Sequence, residues 1–267
     1  MKESFLRFFR DKPEIQPEII FSIGDFPVTN SLLLTLLIII FIIIFVVYLN
    51  KKISEKPKNI QNIFEYLYES MINMTTQITG SKLISENIFP LIGSLFVFIA
   101  LSNLITFLIP GLSSITYNSI SLFRTPTNDF NMTFAISLSI ILFIQIQSIK
   151  SYGIFGYLGR FLKFKEVFIG FRKGISSGLQ AFIDFFVGLL DIVSEIAKII
   201  SLSLRLFGNI YAGEVLATLI FGAFAYGLPT IWAIMSLLTA VVQSIVFGAL
   251  VAAYYSGSID ENKIFNN

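Results

Sequence analysis

Cysteine and histidine are both absent from the 267 residues of this chain, and only 13% of its residues are charged. Without cysteine there can be no disulfides and no thiolate metal sites. Without histidine the chain lacks the usual general base near neutral pH, the commonest metal ligand and the familiar hydrolase triads. A net charge of +2, dispersed between apolar runs, offers no surface for nucleic acid or for a strongly acidic partner. The sequence also has no P-loop or metal-ligand cluster, no internal repeat, no Gly/Ser linker and no inverted halves of the kind common in secondary transporters. What it has in quantity is apolar side chains, 55% of the total, far outside ordinary globular usage. The solvent for such a chain is lipid.

Leu32 to Leu49 has Thr35 as its clearly polar member and, at about 1.5 Å per residue, covers close to the ~30 Å hydrocarbon core. It lacks a small-residue cleavage site, so it is expected to be a first span kept in the mature protein and not a signal peptide. Ile88 to Ile109, opened by Pro90 and closed by Pro110 and Gly111, predicts a second span. Met132 to Ile149 predicts a third, preceded by Pro126 and by Asp129, a residue type suited to a helix N-cap. From Ala181 to Gly222 the apolar character runs on for about 40 residues, or about 60 Å of helix, so this segment must tilt, bend or break. A turn at Gly227, Leu228 and Pro229 leads to a last long helix, Thr230 to Tyr255. Between the first two spans, Ile60, Ile63, Phe64, Leu67, Met71, Met74 and Ile78 share one helical face, which predicts an amphipathic helix on the membrane surface.

The expected fold is therefore all-α integral membrane, with apolar spans at about 31–49, 88–110, 131–150, 181–222 and 230–255, an amphipathic helix at about 59–79 and a long tilted C-terminal hairpin. Residues 1–30 read as an extramembrane segment and 31–267 as one membrane domain. Lys51, Lys52, Lys56 and Lys58 follow the first span, and Lys150, Arg160, Lys163, Lys165, Arg172 and Lys173 follow the third, whereas Arg124 alone lies between the second and third. The positive-inside rule puts both basic loops in the cytoplasm, the N-terminus outside and the C-terminus inside. Lys2, Arg7, Arg10 and Lys12 run against that orientation.

Ionised groups at mid-bilayer cost several kcal/mol, so the ionisable residues of the long hairpin are the functional candidates. Asp184, Asp191, Glu195, Lys198 and Arg205 follow one another in steps of seven, four, three and seven, a slightly drifting stripe at about 100° per residue. Ser194 and Ser201 lie on or beside it. Glu214, nine residues past Arg205, falls on the opposite side of the same helix, which implies two polar routes. Across an antiparallel hairpin, Arg205 with Gln243 and Glu214 with Ser236 share midpoints of 224 and 225, just before the turn. Bland readings stand beside these: Asp184 and Asp191 as interfacial acids, Glu195 and Lys198 as a self-neutralised pair, and Asn103, Gln145 and Gln147 as interhelical hydrogen-bonders. Arg205 has no bland reading of equal weight, because its guanidinium stays protonated and the nearest acids lie a turn or more away.

The run Ser201, Leu202, Ser203, Leu204, Arg205, Leu206, Phe207, Gly208, Asn209, followed by Tyr211, Ala212, Gly213 and Glu214, resembles the signature of subunit a of F-type ATP synthases. The Pro126, Thr127, Asn128, Asp129 turn, Lys198, and Gln243 with Phe247 are also similar to that family, and the likeness extends from about residue 60 onward. The resemblance implies that Arg205 is a stator arginine facing a rotor ring of c subunits, with Asn209 and Gln243 as its polar companions. It implies that Asp191 and Ser201 line a half-channel on the cytoplasmic side and Glu214 the one opening outside, where Ser236 stands at the position some relatives give to histidine. Further implied partners are the peripheral-stalk b subunits, the remaining synthase subunits and the lipid bilayer. No cofactor and no ATP chemistry on this chain are expected, and the ion is expected to be a proton crossing a bacterial cytoplasmic membrane, with mitochondrial inner or thylakoid membranes as alternatives. The rival readings are a stand-alone secondary transporter with an essential intramembrane arginine, and a polytopic membrane enzyme using Asp184, Asp191 and Glu195.

Overall fold

A computed structural model describes residues 16–51, 59–105, 115–117, 120–161, 175–223 and 228–259. The first fifteen residues, the closing Pro110 and Gly111, the loop basic residues Lys163, Lys165, Arg172 and Lys173, and the turn residue Gly227 lie outside them. The elements are β1 (Ile19–Ile23), β2 (Phe26–Thr29), α1 (Asn30–Asn50), α2 (Asn59–Thr79), α3 (Lys82–Ile105), β3 (Thr116–Tyr117), β4 (Ile120–Ser121), a 3-10 turn (Pro126–Asn128), α4 (Phe130–Tyr152), α5 (Ile154–Phe161), α6 (Ile175–Ala223) and α7 (Leu228–Ser256).

Among the described residues four helices, α1, α3, α4 and the stretch Ile231–Ser256 of α7, are long and apolar enough to cross a membrane. The fifth expected span, α6, is 49 residues long, about 73 Å of helix, and intersperses its apolar residues with the six charged ones. It is continuous over its whole length, so among the options of tilting, bending and breaking, breaking is set aside. Along α1, Ile39, Ile40, Phe41, Ile43, Ile44, Val46 and Val47 are all exposed, an arrangement that water would penalise and lipid does not. The opposite side of α1 packs inward through Leu34 and Ile38 against Phe98, Leu101, Ile105 and Phe123.

Local chemistry sets the helix ends. Thr29 caps α1, its hydroxyl accepting from Leu32 N at 3.3 Å. Asp129 caps α4 as its residue type suggests, with Oδ1 accepting from Asn131 N at 3.0 Å. Its Oδ2 accepts from Ser31 Oγ at 2.6 Å, which ties the start of α4 to the start of α1. The second span begins earlier than its apolar run, at Lys82, with Pro90 inside the helix and not at its opening. Membrane helices tolerate such a proline because neighbouring groups satisfy the freed backbone.

Two antiparallel two-stranded ribbons add to the helices. In the first, Ile23 pairs with Phe26 across Gly24 and Asp25, and Gly24 adopts a φ of 62° that a glycine accepts without a Cβ clash. Gly248 of α7 lies so close to α3 that a Cβ there would stand 3.2 Å from Ile92 Cγ2. Its lack of a side chain therefore gives α7 a close approach to α3.

By contacts the chain divides into two compact units, residues 1–133 with 204–253, and residues 134–203 with 254–267.

Candidate functional site

In the first unit, α6 brings Leu206 to its buried side, and next to it Arg205 and Leu204 face outward, Leu204 with half its surface open. Arg205 has no hydrogen bond and no ion pair among the described residues. A guanidinium with five donors in an apolar span cannot be satisfied by lipid tails, and none of the described residues supplies its counter-charge.

One turn further on, Asn209 Nδ2 donates to Gln243 Oε1 at 3.3 Å, joining α6 to α7. Gln243 is buried to 7% exposure, and its Nε2 has no partner among the described residues. The structure thus brings together Asn209 and Gln243, whereas the hairpin midpoints paired Gln243 with Arg205 itself.

Glu214 is half-buried, and its Oε2 accepts from the Nδ2 of Asn128, in the 3-10 turn before α4. The expected neighbour, Ser236, is half-buried and makes no side-chain hydrogen bond among the described residues. The turn that delivers Asn128 is heavily tied. Asn128 N donates to Thr125 O at 3.0 Å, and Arg124 donates through Nη2 to Asn128 O at 3.2 Å and through Nη1 to Gln16 O at 2.6 Å. Thr127 Oγ1 donates to Asn103 Oδ1 at 2.9 Å, and Asn103 Nδ2 to Ala240 O at 3.4 Å, so Asn103 is an interhelical hydrogen-bonder as its sequence position suggests. The positive charge of Arg124 acts on the Glu214 carboxylate.

Sequence reasoning placed Asn128 in a family-like turn without giving it a contact, and read Arg124 only as a loop charge.

In the second unit, Lys198 Nζ lies 2.6 Å from Glu195 Oε1, with both side chains about a fifth exposed. Gln145 Nε2 donates to Glu195 Oε2 at 2.5 Å, and Tyr157 OH donates to Gln145 Oε1 at 2.8 Å. The ammonium of Lys198 also stands 5.2 Å from the ring centre of Tyr254. Glu195 and Lys198 therefore compensate each other within a four-helix polar cluster. Asp184 and Asp191 are half-buried and Ser201 is exposed, none with a side-chain hydrogen bond or ion pair among the described residues. Gln147 also has none, unlike Gln145.

The family model described as ATP synthase A chain matches residues 31–256. The subunit a of Moorella thermoacetica ATP synthase is 27% identical over 245 residues, covering 92% of this chain and 97% of the relative. That of Desulforamulus reducens is 31% identical over 208 residues, covering 75% and 67%. In Propionigenium modestum, a subunit a named as sodium ion specific is 29% identical over 248 residues, covering 91% and 78%. Taken with a helical membrane fold whose long helix exposes an arginine without a partner among the described residues, the match shows that this chain belongs to the ATP synthase A chain family, the subunit a of F-type ATP synthases.

Proposed function

We propose that the chain conducts a proton through two half-channels against a rotor ring of c subunits, coupling ion flow to rotation while partner subunits carry out the ATP chemistry. The supporting observation is Arg205, outward-facing on an apolar helix and lacking any counter-charge among the described residues. A rotor carboxylate crossing lipid stays neutral with its ion bound; beside Arg205 the ionised form is favoured and the ion is released. The same fixed cation bars a direct leak between the routes, with Asn209 and Gln243 holding the neighbouring helix face in place.

On this reading Glu214, with Ser236 near the same end of the hairpin, serves the route opening outside. Asp191 and Ser201 serve the cytoplasmic route, and the compensated Glu195 and Lys198 form its wall. The N-terminus is outside and the C-terminus inside a bacterial cytoplasmic membrane, residues 1–30 lie outside the membrane domain of 31–267, and peripheral-stalk b subunits complete the stator contacts. The sodium-specific relative supports sodium as the second reading, which synthesis assays in sodium-free medium distinguish.

A photo-crosslinker replacing Leu204 in the purified synthase tests the assignment, since Leu204 is open beside Arg205. The expected product joins this chain to a small hydrophobic subunit carrying a mid-helix carboxylate. A product joined to lipid alone, with no such subunit, would overturn it.

A further inference from the structure

We propose that Asn128 is the switchable partner of Glu214, its side-chain amide donating to the carboxylate and, after rotating about its last bond, accepting from the ion-loaded acid. The proposal rests on Glu214 lying in the ion path and adds to that reading a positioning residue, and a mechanism, for loading and unloading.

Asn128 is 2% exposed, so an unsatisfied polar atom there costs free energy in every state of Glu214. Its Nδ2 donates to Glu214 Oε2, and its Oδ1 is buried with no partner among the described residues. Rotation by half a turn brings Oδ1 to Glu214 and Nδ2 to the vacant position, so the exchange breaks no other side-chain bond. Meanwhile the main chain is fixed. Asn128 N is held by Thr125 O, Asn128 O by Arg124, and the adjacent Thr127 by Asn103. The turn is anchored while the amide remains free to choose its orientation.

A carboxylate accepts hydrogen bonds and a carboxylic acid must donate one, so a partner that only donates favours the empty state and opposes loading. An amide carries both functions on one planar group. When a proton arrives from water, an O–H bond forms on Glu214 as the O–H bond of the hydronium donor breaks; on release the reverse occurs, and Asn128 gains and loses no proton. For sodium the rotated Oδ1 serves as a second oxygen ligand beside Glu214. The neighbouring charges do not take over this role: Arg124 can only donate, and Asp129 accepts from Ser31 and Asn131.

The test uses the assembled synthase in vesicles, with ATP synthesis followed against ion concentration on the Glu214 side. Asn128→Leu keeps the branched outline and removes both polar atoms. Loss of a hydrogen bond to a charged group predicts about a tenfold fall in rate at limiting ion, with the maximal rate at saturating ion falling less than about twofold. Asn128→Ser, whose hydroxyl both donates and accepts, restores the limiting-ion rate to within about threefold of the parent. An unchanged rate profile in Asn128→Leu, with Glu214→Leu inactive, would overturn the proposal and leave the Glu214 route standing. Normal synthesis in Glu214→Leu would remove the route itself. Should Asn128→Leu not assemble, Asn128→Ser and Asn128→Ala decide: a higher limiting-ion rate in the serine variant supports the switch, and equal rates overturn it.

Discussion

Two polar clusters ride on the long helix α6, and they balance their charges in different ways. Around Glu195 the acid meets Lys198 at 2.6 Å and the remaining oxygen meets Gln145, so the formal charges cancel inside the chain. Around Arg205 and Glu214 they do not. Arg205 has no partner among the described residues, and Glu214 has the neutral amide of Asn128 with a more distant cation, Arg124. A buried pair that neutralises itself needs no further explanation than packing, since breaking it costs more than making it yields. A charge left open in an apolar span persists only where something else completes it. On the proposed reading the difference separates a structural cluster from a working one, although each holds an acid and a cation on the same helix, three residues apart in the first and nine in the second.

If that contrast is correct, substitutions in the open cluster cost activity and those in the closed cluster cost stability. The largest effect after Arg205 itself falls on Glu214→Leu, expected to slow ion-driven synthesis about a hundredfold in complexes that still assemble, in line with loss of a positioned proton acceptor. Vesicle assays at matched complex content give the answer, and a normal rate would erase the contrast.

Next is Ser31→Ala, which takes a 2.6 Å hydrogen bond from the buried Asp129 carboxylate and leaves the Asn131 amide as its remaining partner. A loss of about 2 kcal/mol is expected, seen as a lower unfolding temperature of the detergent-solubilised complex, with specific activity of the surviving fraction unchanged. Gly248→Leu is expected to cost about 1–3 kcal/mol by overpacking where a Cβ already stands 3.2 Å from Ile92. Thermal aggregation assays read that loss.

Glu195→Gln is the smallest. The amide still accepts from Gln145, and with both members of the ion pair about a fifth exposed the change is expected to stay near 1 kcal/mol, with coupled synthesis within about twofold of the parent. A collapse of synthesis in Glu195→Gln would move that cluster into the working class.

Much of this was legible in the sequence, and the reasons are physical. Lipid demands continuous apolar runs, so α1, α3, α4 and α7 announce themselves by length, and only their ends move, because polar residues such as Lys82 extend a helix past its apolar stretch. The Asp129 cap was readable because capping is local: residue type, spacing to Asn131 and a following apolar helix suffice. Arg205 was readable because an arginine in such a run has no cheap explanation.

The missed features are those that depend on distant pairing. Glu214 and Asn128 are 86 residues apart, and no helical period connects a turn to a helix so distant in sequence. The hairpin midpoints were a fair guide to which helices meet but not to which side chains do; Gln243 met Asn209, four residues from the arginine, and α7 also gave its Gly248 to α3. The β1–β2 ribbon carried a local signal in Gly24 and Asp25, a two-residue hairpin turn, that the surrounding apolar spans overshadowed.

The central claim is that the open positive charge of Arg205 drives release of the ion from a passing rotor carboxylate. Its most direct measurement is ATP synthesis together with passive proton and sodium flux in vesicles holding the assembled Arg205→Ala complex. The account predicts that coupled synthesis is abolished, that a passive leak opens between the two routes, and that Arg205→Lys is severely impaired as well, because a buried lysine can lose its proton where arginine cannot. Near-normal coupled synthesis in assembled Arg205→Ala complexes would contradict it.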